Sequence, residues 1–158
     1  MSSKTLCSIV RIAVIAVAGC GFIACYYLPS YGSEIANNNP EFAHCYIPWL
    51  VFLWLAAAPC FAFLVLIWKV STAIKNETVF SFQTARIIKA CAMILFGNAA
   101  FFFIGNIVFM LLGMNHPSVL LLSIIIDVFG LSLAVLIAVL SRYLTKAAAL
   151  QEEADGTI

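Results

Sequence analysis

Four long apolar runs alternate with short polar stretches along this chain. They cover Ile9–Leu28, Tyr46–Trp68, about 90–114 and about 117–140. Each reaches the roughly 20 residues that a helix needs to cross a bilayer. A segment in lipid must satisfy its own backbone hydrogen bonds, and a helix does so within one segment. The pattern therefore predicts helices over about 9–28, 46–70, 86–113 and 117–141. The expected fold class is an all-α membrane protein: a four-transmembrane-helix bundle forming one membrane domain over 1–158, with a short helix in the tail 142–158. The first run is too long for a signal peptide, and Tyr26-Tyr27-Leu28-Pro29 lacks the small residues of a cleavage site.

The polar positions punctuate the helices. Asn37-Asn38-Asn39-Pro40 predicts turn and irregular structure across 29–45. Pro59 should kink the second helix. Ser81 is expected to cap the third helix, and Asn115 the fourth, with Pro117 in its first turn. The connection Gly113–Pro117 is short enough to make helices three and four an antiparallel hairpin. Ala13, Ala16, Cys20 and Ala24 form a small-residue stripe on the first helix, and Gly21 and Cys25 a second small pair. Such faces let helix backbones approach closely in lipid.

Composition agrees with the pattern. The chain is 65% hydrophobic and 9% charged, with a mean hydropathy of +1.10, whereas soluble domains carry about 25% charged residues. The charges add an orientation. Lys4 and Arg11 open the first helix, Lys69, Lys75, Arg86 and Lys89 surround the second connection, and Arg142 and Lys146 follow the fourth helix. The other two connections contain no Lys or Arg. Positive residues stay inside, so both termini are expected in the cytoplasm. Arg86 and Lys89 read as topology anchors, with lipid phosphates as the alternative contact. The six cysteines include no Cys-x-x-Cys and read as small apolar residues. His44, Cys45 and His116 lie on the outward side without a ligand-spacing motif, so no metal and no cofactor is expected. No phosphate loop, His-Glu-x-x-His or Gly-x-Ser-x-Gly is present, and a non-enzymatic protein is expected.

One position stands against the apolar background. Asp127 lies deep in the fourth run, and an ionisable residue there is by default a functional-site hypothesis. Ser123, Gly130, Ala134, Ala138 and Ser141 share its helix face at about 100° per residue. Asn98 and Asn106 share a face of the third helix. Counting from the hairpin ends puts Asp127 roughly 15 Å deep and Asn106 roughly 10 Å deep. A hydrogen bond between them is expected, whereas Asn98 would need water or another helix. No Lys or Arg lies deep enough to pair with Asp127, so the neutral acid is expected. The intramembrane polar site is thus Asp127, Asn106, Asn98 and Ser123. It reads either as polar glue between helices or as a proton- or solute-coupled transport site.

Two segments carry a resemblance. The connection Ile74-Lys75-Asn76-Glu77-Thr78-Val79-Phe80-Ser81, followed by Ala85-Arg86-Ile87-Ile88, has Ile, turn residues, then Phe-Ser before a basic helix start. The tail runs Leu150-Gln151-Glu152-Glu153-Ala154-Asp155-Gly156-Thr157-Ile158 after Leu144 and Ala147. With four helices and this length, the chain resembles the bacterial membrane family catalogued as domain of unknown function 2975. Gly156 departs from the apolar residue usual there. The resemblance implies a bacterial cytoplasmic membrane and a small helix-turn-helix regulator encoded alongside. It makes Phe80, Arg86, Leu150, Glu152, Glu153, Asp155, Thr157 and Ile158 the expected partner surface. The expected function is a regulatory or scaffold protein in the lipid bilayer, holding that DNA-binding regulator without touching nucleic acid itself. Small-solute or proton-coupled transport is the alternative, and homo-oligomerisation is open under both.

Overall fold

The computed structural model describes residues 3–155. Four helices follow one another: α1 (Ser3–Asn38), α2 (Tyr46–Lys75), α3 (Phe82–Leu111) and α4 (Pro117–Asp155). A 3-10 turn (Pro40–Cys45) joins α1 to α2, and no strand occurs among the described residues. With 30 to 39 residues each, the helices are about 45–58 Å long, well beyond the roughly 30 Å hydrocarbon core. All four are long and apolar enough to cross a membrane. This is a multi-pass membrane protein.

The helices outrun the hydropathy bounds. α1 continues through Pro29, and the stretch expected to be irregular is helix and 3-10 turn. Pro29 withholds one backbone donor without ending the helix, and its own carbonyl also accepts a hydrogen bond from the Tyr46 hydroxyl at 3.1 Å. Asn39 ends the helix instead. Its backbone N–H and its side-chain amide both donate to the Ile35 carbonyl at 3.0 Å. At the far end of the chain, α4 carries straight from the fourth span into the tail as one helix, because Ala147-Ala148-Ala149-Leu150 are strong helix formers and nothing breaks the run.

Helix ends follow local chemistry. Ser81 caps α3 as expected, its Oγ accepting from the Thr84 N–H at 3.2 Å. Gly113, at φ 71°, ends α3 in a Schellman motif: the Met114 N–H bonds the Phe109 carbonyl at 2.8 Å and the Gly113 N–H bonds Met110 at 3.1 Å. α2 ends in the same way, with Thr78 bonding Ala73 and Glu77 bonding Ile74. There the left-handed position is filled by Glu77, at φ 57°, rather than by glycine. Asn115 does not cap α4. The Ser118 N–H donates to His116 Nδ1 at 3.3 Å, and the Asn115 side chain turns inward.

Consecutive helices pack in chain order, α1 on α2, α2 on α3 and α3 on α4. No close backbone approach joins α1 to α4 among the described residues. The α3–α4 seam is regular. Ala85, Ile88, Ala92, Leu95, Ala99, Phe102 and Asn106 are buried or partly buried on α3. Ser123, Asp127, Gly130, Ala134, Ile137, Ser141, Leu144 and Ala148 are so on α4. Both sets alternate spacings of three and four, the repeat of a knobs-into-holes seam. Ser141 Oγ donates to the Ala85 carbonyl at 2.9 Å and marks the register. Around that bond Ala85, Ile88 and Leu144 form a core, joined by Val70, Val79 and Ile137. This ties α2, the 76–81 connection, α3 and α4 together at the basic end of the molecule.

On α1 the same alternation runs through Cys7, Arg11, Val14, Ala18, Gly21, Cys25 and Leu28. The Gly21/Cys25 pair is therefore on the packing face, with the Phe61 ring 3.2 Å from where a Cβ on Gly21 would sit. The stripe Ala13, Ala16, Cys20 and Ala24 is exposed instead. Small residues line both sides of this helix, so size alone does not choose the face. Arg11 does. Its Nε donates to Ser71 Oγ and its guanidinium to Thr72 Oγ1, both at 3.2 Å, and it lies 4.8 Å over the Trp68 ring.

Candidate functional site

The intramembrane polar residues fall on two levels. Take the Ser141–Ala85 bond as zero height. Asp127 lies fourteen residues before Ser141, level with Ala99, fourteen after Ala85. Asn106 is twenty-one residues beyond Ala85, level with Leu120. The two levels are seven residues apart, roughly 10 Å along the axes. The expected Asp127–Asn106 hydrogen bond is accordingly absent. Depth counted from the loop misplaced the pair because the count took Gly113 and Pro117 as level, whereas the same register puts Pro117 level with Phe109.

Asn106 instead belongs to the hairpin end. It is fully buried. Its amide donates to the Phe102 carbonyl at 2.9 Å, and its Oδ1 accepts from Asn115 Nδ2 at 3.1 Å. Trp49 Nε1 donates to the Met114 carbonyl at 2.9 Å, fastening the start of α2 to the same turn. Phe52 fills the space below, its ring 5.5 Å from Phe102, 5.1 Å from Phe109 and 5.2 Å from Phe101. This end is a structural lock of one amide pair and an aromatic cluster. Asn115 went unrecognised in the sequence as a partner, although a second amide nine residues after Asn106 across a tight turn was the available signal.

The other level is different. Asp127 is 6% exposed. One carboxylate oxygen is buried, and no hydrogen bond to the side chain occurs among the described residues. Ser123, one turn away, spends its hydroxyl on the Leu120 carbonyl at 2.7 Å. Asn98 lies within one residue of Asp127's level, and it uses another helix, as its depth required: its amide donates to Cys60 Sγ on α2 at 3.5 Å. Asn98 Oδ1, like the Asp127 oxygen, is buried without a partner. A cleft of about 380 Å³ opens beside Asn98 between α2 and α3, lined by Leu55, Pro59, Ile94, Gly97 and Phe101. The mid-membrane layer thus holds two unsatisfied acceptors and one thiol, with no cation among them.

The expected partner surface lies at the basic end. Phe80 is exposed on the 76–81 connection, and Arg86 is exposed on the first turns of α3. Leu150, Glu152 and Glu153 are exposed on α4. Asp155 is the last helical residue described, and Thr157 and Ile158 lie outside the described residues. The two segments converge at their bases: Val79 packs on the core that holds Leu144. Leu144 is level with Phe82, where α3 begins, and α4 runs eleven residues further, roughly 16 Å. Ala148 is still buried on that extension, and the face bearing Leu150 is not.

No curated protein and no solved structure matches this chain. The family described as protein of unknown function (DUF2975) matches residues 30–158. That stretch begins late in α1 and takes in the hairpin lock, the Asp127 layer, the 76–81 connection and the α4 extension, and the chain belongs to this family.

Proposed function

We propose that this protein is a non-enzymatic regulatory or scaffold protein of a bacterial cytoplasmic membrane. In this reading both termini are cytoplasmic, and the 76–81 connection with the end of α4 presents a docking surface to a small cytoplasmic partner. The observation that carries it is the form of α4. A single helix runs from the membrane into the tail, is braced at Leu144 and Ala148, and leaves Leu150, Glu152 and Glu153 exposed. A helix presented in this way offers an apolar anchor beside carboxylates, the chemistry of helix-in-groove recognition. The partner that fits the family resemblance is a helix-turn-helix regulator encoded alongside. The test is co-purification of that regulator with the full chain and with a chain lacking Glu152–Ile158. Loss of capture at unchanged membrane expression is expected. Capture unaffected by the deletion, or the absence of such a neighbouring gene, refutes the reading.

One observation favours a second reading, transport of protons or a small solute. The buried acceptors of Asp127 and Asn98 share one level without partners, and membrane acids often mark pathways. Under that reading Asp127→Asn abolishes pH-dependent flux in proteoliposomes. Flux that survives with the same pH profile sinks it.

A further inference from the structure

A groove opens between α3 and α4 at the basic end. It encloses about 470 Å³ and is lined by Lys89, Ala92, Met93 and Phe96 of α3 and by Ala138, Ser141, Arg142, Thr145 and Lys146 of α4. Its three cations come from two helices. Arg142 and Lys146 are one turn apart on α4, and Lys89 faces them from α3. All three are exposed, and no ion pair or hydrogen bond to a carboxylate engages any of them among the described residues. Arg86, which hydropathy pairs with Lys89 as an anchor, does not line the groove.

The lining changes character along the helices. The α4 cations sit toward the end of the molecule. From Lys89 to Phe96 the α3 wall runs seven residues inward, roughly 10 Å, through Ala92 and Met93. Charge at the mouth and hydrocarbon below is the outline of an amphiphile rather than of a free ion. We propose that this groove binds an anionic phospholipid, its phosphate held by Lys89, Arg142 and Lys146 and its upper acyl chain lying along Ala92, Met93, Phe96 and Ala138.

The two hydroxyls of the groove sharpen the specificity. Ser141 Oγ already donates to the Ala85 carbonyl, and Thr145 Oγ1 to the Ser141 carbonyl at 2.9 Å. Neither has a proton left for a headgroup. The phosphate's donors are then the three cations, and charge is the first requirement for binding. The inference is independent of the regulator reading, since no residue of the 150–158 segment takes part.

The test is native mass spectrometry of the full chain in neutral detergent, titrated with phosphatidylglycerol, phosphatidylserine or phosphatidylcholine, with glycerol phosphate as a separate arm. Both anionic lipids should bind well ahead of phosphatidylcholine. The variant K89Q/R142Q/K146Q should bind them on the order of a hundredfold more weakly, the worth of three such cations near an anionic headgroup. The variant K69Q/K75Q, which removes two charges outside the groove, should bind as the parent does. The charge-conserving variant K89R/R142K/K146R should retain binding, which separates lost charge from lost folding. Equal binding of phosphatidylcholine overturns the proposal, as does loss of affinity in the 69/75 variant to the same extent. Glycerol phosphate binding as tightly as the lipids also overturns it, because the ligand is then a free phosphate.

Discussion

Gly105 offers the sharpest test of the packing. A Cβ added there would lie 2.6 Å from Phe52 Cζ, with another atom of that ring closer still. The ring has little room to yield, since Trp49, Phe101, Phe102 and Phe109 surround it. Gly97, two turns earlier on α3, would place its Cβ in open space. The two glycines therefore form an internal comparison. Alanine at either position gains up to about 1 kcal/mol of helix propensity. At Gly105 overpacking opposes this by about 1–3 kcal/mol. Gly97→Ala should raise stability slightly, while Gly105→Ala should fall below it by about 1–3 kcal/mol. Truncating the obstacle removes the difference. In a Phe52→Ala background, which itself costs about 3–5 kcal/mol, Gly105→Ala should behave like Gly97→Ala. The assay is reversible unfolding by SDS in mixed micelles, followed by far-UV circular dichroism. If the two alanine variants agree within about 0.5 kcal/mol, or the Phe52 and Gly105 changes simply add, the close approach of α2 and α3 at this point is refuted.

Two further outcomes can be read in the same assay. Glu77→Gly should raise stability by about 1 kcal/mol, since it relieves a side chain held at positive φ, and a loss larger than that would show that the 3.1 Å bond from Ser3 Oγ to Glu77 Oε1 matters more than the backbone. Asp127→Asn should leave stability unchanged or raise it, because the carboxylate has no partner to lose and the amide carries no charge; destabilisation beyond about 1 kcal/mol would reveal a bound counter-ion or water.

Helix number and hairpin pairing were legible because hydrocarbon demands long unbroken apolar runs. Ser81 was legible because capping is a local hydrogen bond. Packing faces were harder, and α1 and α4 show why. α4 carries Ser123, Asp127 and Ser141 on one line among large apolar residues, so polarity and small size both pointed inward. α1 is apolar or small in every direction, and its inner face emerges only from packing, in the burial of Cys7, the Phe61 ring against Gly21 and the Arg11 contact with Ser71 and Thr72. Asn115 shows the limit of capping rules: a buried amide partner in Asn106 outcompetes a free helix end that His116 can serve. Pro29 shows that proline inside a membrane helix does not by itself end it.

The Ser141–Ala85 bond has a consequence for the uniqueness of the hairpin. A seam that repeats every seven residues is degenerate: a slide of one repeat, roughly 10 Å, returns small and apolar groups to equivalent slots. Lipid is as apolar as the seam and opposes such a slide only through the packing lost where the overlap shortens. A hydroxyl that meets one particular carbonyl breaks that translational symmetry at one end, and the Asn106–Asn115 amide pair breaks it at the other. Between them these two polar contacts select one alignment from a ladder of near-equivalent ones, and the unpartnered carboxylate of Asp127 is carried to its level by a choice made elsewhere.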